Sequence, residues 1–123
     1  MITGVVTVAG TAVIPLTVQG TTGQVETLPA ILDTGFNGFL TLPLPQIATL
    51  GFPYEGNIEV VLGDGREVKV DVFLGTVVWE GQVREGTILA AEGSPLIGMA
   101  LLTGSRVCLD VIDGGPVTIE RLL

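Results

Sequence analysis

The segment Ile31-Leu32-Asp33-Thr34-Gly35-Phe36 sets a carboxylate between an apolar run and a glycine turn. An ionised carboxylate beside apolar residues is costly unless it is paired or put to use. Pairing is difficult in this chain, which has five Lys plus Arg against thirteen Asp plus Glu, and no His. Without histidine, a Ser-His-Asp triad, a Cys-His pair and the usual zinc sites are excluded. What remains is the chemistry of carboxyl groups. Two of them held about 3 Å apart cannot both ionise, so one acts as base while its protonated neighbour acts as acid. Such a pair activates water and protonates a leaving group with neither metal nor cofactor. A chain with one such aspartate supplies the pair only as a two-fold dimer, in which Asp33 meets Asp33 of a second copy. Gly35 suits close backbone approach at that axis, and the Thr34 hydroxyl suits a hydrogen bond across it.

The elements that must position Asp33 read as short strands cut by turns. The chain has 123 residues, one domain's worth, with 18 Gly and 7 Pro beside 47% hydrophobic residues that are mostly aliphatic. Residues 2–8 and 12–18 predict a hairpin, and a strand from Gln24 to Leu32 runs into the Asp-Thr-Gly. Phe39–Leu42 reads as extended. Pro43-Leu44-Pro45 then opens a short helix to Leu50, with Gly51 as its C-cap. Residues 57–61 and 66–72 alternate polar and apolar around a Gly63-Asp64-Gly65 turn. A separate hairpin is predicted over 74–80 and 82–89. Pro95–Gly98 reads as a buried strand end, Met99–Leu102 as a helical turn, and 106–111 and 116–121 as closing strands. Each half thus offers a hairpin, a strand ending in an apolar pair and a glycine, and a short helix; only the first half carries the acid.

Composition narrows the classes of partner. The net charge of −8 argues against nucleic acid, whose phosphates call for clustered Lys and Arg. No apolar run reaches the ~18 residues of a membrane span, and Met1-Ile2-Thr3-Gly4 has no basic leader. The expectation is a cytoplasmic protein with no membrane contact. The lone Cys108 lies in an alternating strand pattern and reads as a small buried hydrophobe rather than a nucleophile. Asp110 and Asp113 with Gly114-Gly115 lack the ligand run of a calcium loop and read as a hairpin.

Asp33-Thr34-Gly35 after an apolar strand resembles the active-site triplet of retropepsin-like (clan AA) aspartic proteases. Leu96-Ile97-Gly98 resembles the apolar-apolar-glycine that closes the second half of that fold. The stretch from Asp33 to Pro43 is similar to bacterial and archaeal single-domain members. Agreement continues through Leu62-Gly63-Asp64-Gly65, Trp79-Glu80-Gly81 and Pro95–Met99, covering most of the chain from about Gly4 to Ile119. The resemblance implies an all-β, closed β-barrel-like domain over residues 1–123, with one or two short helices and a flap hairpin. It implies a homodimeric aspartic endopeptidase acting on peptide or protein substrates, with no cofactor and no metal. Asp33 is then catalytic, Thr34 and Gly35 support its loop, and Gly63, Asp64 and Gly65 tip the flap. Phe36, Ile97 and Gly98 are expected at the cleft wall. Where relatives usually have Ala, Ser or Thr after the triplet, Phe36 either narrows the cleft or packs beneath the loop. Asp64 either disfavours acidic substrates or serves an Asp-Gly type I′ turn. The alternative is a peptide-binding scaffold that keeps the fold without turnover.

Overall fold

In the computed structural model, which describes all of residues 1–123, ten strands and two short helices follow one another along the chain. They are β1 (Ile2–Val6), β2 (Ala12–Gln19), β3 (Val25–Leu32), β4 (Leu40–Leu42), α1 (Leu44–Leu50) and β5 (Tyr54–Val61). After these come β6 (Glu67–Trp79), β7 (Gln82–Ala90), β8 (Leu96–Ile97), α2 (Met99–Leu102), β9 (Ser105–Leu109) and β10 (Pro116–Arg121). The protein is mostly β, as its composition requires.

The strands form one sheet in the order β5-β6-β7-β4-β8-β3-β2-β1-β10-β9, and β6 also pairs with β2. That extra pairing, Thr17–Gln19 against Thr76–Val78, closes β2, β3, β8, β4, β7 and β6 into a ring. Period-two alternation fills its interior. In β2, Ile14, Leu16 and Val18 are buried while Pro15 between them is exposed. Leu40, Ile88 and Ile97 are fully buried, and Ile47 and Leu50 of α1 belong to the same core. Each such Leu or Ile contributes about 1.5–3 kcal/mol by leaving water.

Helix α1 begins after Pro43 and ends as expected at Gly51, whose φ of 72° lets its N–H reach the carbonyls of Ile47 and Ala48. The two strand ends matched by sequence, Leu32 and Ile97, are partners in adjacent parallel strands.

Three expectations are corrected. First, β6 runs unbroken from Glu67 to Trp79 and belongs to both hairpins at once. Gly75 is what allows it: a Cβ there would strike Ile88 and Phe52, so glycine marks close packing in mid-strand and not a turn. Second, Cys108 is exposed, because β9 lies at the edge of the sheet and its partner face is only half covered. Third, β1 and β9 stop at Val6 and Leu109, leaving Val8 and Val111 in loops.

Candidate active site

Asp33 follows directly on β3, and its loop is held from below by β8 and α2. The Asp33 N–H donates to the Ile97 carbonyl at 2.9 Å, and the Gly98 N–H to the Phe39 carbonyl at 3.1 Å. The Met99 N–H donates to the Phe36 carbonyl at 2.8 Å, and the Ala100 N–H to the Gly38 carbonyl at 3.1 Å. The first N–H groups of a helix have no partner within it. Here the loop carbonyls satisfy them, so α2 is fastened to the aspartate loop through its own backbone. Below, the Thr41 hydroxyl, buried in β4, accepts from the Leu96 N–H at 2.9 Å and fixes β8 in the gap between β3 and β4.

Within the loop, Asp33 Oδ1 accepts the Gly35 N–H at 3.0 Å, the bond of an Asx turn. The Phe36 N–H returns to the Asp33 carbonyl at 3.1 Å. Asp33 is half-buried, while Thr34 and Gly35 are exposed. One carboxylate oxygen is thus committed to shaping the turn, and the loop presents its hydroxyl and its glycine outward.

The ring of Phe36 lies over Gly38 and Gly98: a Cβ on either glycine would meet ring carbons, at 2.5 and 2.7 Å respectively. Of the two expectations for Phe36, packing beneath the loop is the one observed. Ile97 and Gly98 are corrected outright as cleft-wall residues. Ile97 is fully exposure-free in the core and Gly98 is buried under the Phe36 ring. The reason is packing: Ile97 belongs to the core cluster with Leu40 and Ile88, and the Phe36 ring covers Gly98.

The expected flap is a two-stranded arm. Asn57–Val61 pair with Glu67–Asp71, and β6 meets β7 only from Val72 onward. At its tip the Gly65 N–H donates to the Leu62 carbonyl (2.9 Å) and the Leu62 N–H to the Arg66 carbonyl (2.8 Å), with Gly65 at φ 85°. Gly63 and Asp64 do not have positive φ, so this is a three-residue loop with a left-handed glycine and not a type I′ turn. Asp64 accepts from the Arg66 N–H at 3.0 Å and from Arg66 Nε at 2.6 Å. The Arg66 backbone bond, then its guanidinium, hold the Asp64 carboxyl below the usual carboxylate range. At its base, Gly56 (φ 119°) stands at a bulge between Tyr54 and β6, and the Tyr54 ring meets Phe73 edge-on at 5.5 Å.

Comparison with protein-family models, with curated proteins and with solved structures finds no match. No helix is long and apolar enough to cross a membrane. The site therefore stands on its own geometry. The three cavities of the chain lie elsewhere; the largest, of about 530 Å³, runs along Ile2, Pro15, Val78 and Trp79, and none includes Asp33 or the arm's tip. Asp33 sits on an open face of the single chain. Sequence reasoning missed Met99 and Thr41, whose anchoring roles follow from pairings made across the fold. It also missed the loop residues Val8, Val111 and Ile112. Val8 and Val111 were absorbed into the predicted strands 2–8 and 106–111, and Ile112 was left in the turn that follows.

Proposed function

We propose that the protein is an aspartic endopeptidase of retropepsin type, whose catalytic unit is a homodimer with Asp33 contributed by each copy. The observation that carries this reading is the fastening of the Asp33 loop. Four backbone bonds to residues 97–100 hold it rigidly, yet Thr34 and Gly35 face outward with no cleft around them in one protomer. A preorganised loop on an open face is what a two-fold active site requires from each half. In the proposed reaction, an extended peptide lies between the two loops and the arms tipped by Gly63-Asp64-Gly65. The ionised aspartate takes a proton from water as the water oxygen attacks the scissile carbonyl carbon. The protonated aspartate then delivers its proton to the amide nitrogen as the C–N bond breaks.

The Asx-turn bond from Gly35 to Asp33 favours a second reading, in which Asp33 shapes a turn in a peptide-binding scaffold without turnover. One variant separates the two. Asn at position 33 keeps an acceptor for the Gly35 N–H but cannot act as base or acid. Asp33→Asn is expected to fold and dimerise as the wild type does while peptide cleavage falls at least a thousandfold. A statine-type inhibitor should block the wild type. Cleavage by Asp33→Asn at the wild-type rate would sink the protease reading.

A further inference from the structure

We infer that the two-fold contact is made by the loops 7–11 and 110–115, through Val8, Val111 and Ile112, and not by exchange of terminal strands between copies; this rests on the dimer proposed above. These three side chains are 84%, 70% and 69% exposed, more than any other large apolar residue except the terminal Met1 and Leu123. Backbone bonds bring their loops together: the Val6 N–H donates to the Gly115 carbonyl at 2.8 Å and the Gly114 N–H to the Val6 carbonyl at 2.9 Å. The register then places them at the Asp33 end of the sheet. Val5 faces Val13 and Val13 faces Ile31, so the turn after β1 and the residue after β3 emerge on the same side. The apolar loops and the Asp33 loop therefore share one end of the sheet, and one occupant, a second copy, covers the first while completing the second.

Strand exchange is disfavoured by the sheet itself. β10 lies between β1 and β9, bonded on both edges within its own chain, so sharing it would break existing pairs before making new ones. Charge fits the same picture. Each copy carries −8, yet loop 7–11 has no charge at all and loop 110–115 has only Asp110 and Asp113, flanking the Val-Ile pair. Self-association through an apolar centre with an acidic rim is opposed at low ionic strength and eased by salt.

The test is sedimentation over a concentration series for the wild type and three variants: Val111→Glu/Ile112→Glu, Val8→Glu, and Val25→Glu. Val25 is also exposed (66%) but begins β3, at the opposite end from Asp33, and serves as the control. The expected result is a wild-type dimer that tightens with added salt, an unchanged control, and at least tenfold weaker dimerisation in both loop variants with unaltered circular dichroism. Val8→Glu, on the other loop, covers the case in which the double variant fails to fold. Loop variants as dimeric as the wild type, or a wild type monomeric throughout, would overturn the inference. Cleavage assays on the same samples keep the two proposals apart. A loop-dependent dimer that cuts nothing retains the interface and removes the protease. An active dimer indifferent to the loop variants does the reverse.

Discussion

At the scale of single residues, the aspartate loop depends on what is missing beneath it. Gly98 has an ordinary extended φ of −96°, so glycine is required there by space and not by backbone strain. A Cβ would collide with the Gly38 carbonyl oxygen and the Phe36 ring. Gly98→Ala is therefore expected to lower stability by about 1–3 kcal/mol, read as a fall in denaturation midpoint, and to lower activity more than stability because Asp33 moves with its loop. The arm's tip makes a separate prediction. Asp64's folded-state pKa is lowered, so its contribution to ordering the tip is present above the unfolded carboxylate value. That contribution is lost as pH falls through the lowered one. Arg66→Ala keeps the backbone bond and removes the guanidinium. The Asp64 titration followed by NMR should then move part of the way back up. Asp33 could be singled out from sequence because its chemistry is local: an acid, an apolar strand, a glycine, no histidine. The position of Phe36 could not, because its ring rests on two glycines, one of them brought in by β8 from the other half of the chain.

Elements show the same division between local and distant causes. Helix α1 was readable to its cap, since Pro43 and Gly51 act on their own backbone. The continuity of β6 was not, because one strand serving two hairpins, with no break at Phe73, depends on pairings to β5 and β7 made across the fold. The consequence is an arm whose outer half has no neighbour but itself, and a lone two-stranded hairpin is marginal in water. Amides of Asn57–Val61 and Glu67–Asp71 are expected to exchange with deuterium well before those of Ile14–Val18 in the ring. Slow exchange in the arm would contradict a flap that opens. Thr41 tests the opposite end of the scale of rigidity. Thr41→Val leaves the half-buried Leu96 N–H without its partner and should cost about 1–3 kcal/mol in equilibrium unfolding, whereas Thr41→Ser should cost much less.

For the molecule as a whole, the ring and the aspartate loop answer to one pairing, Leu32 with Ile97, that joins distant parts of the chain. Contacts of such long sequence separation carry the largest closure entropy and form late in folding. On a ribosome the early hairpins of β1–β3 can assemble first, but the atoms that fasten Asp33 belong to residues 97–100 and emerge only after β7. A chain truncated before Pro95 is thus expected to contain the Asp-Thr-Gly yet lack an ordered Asp33 loop, detectable as lost chemical-shift dispersion at Thr34 and Gly35. For the protease proposed above, that order of events has a protective meaning. Its cutting edge would take shape only after the strands β1 to β7, themselves polypeptide, had been made.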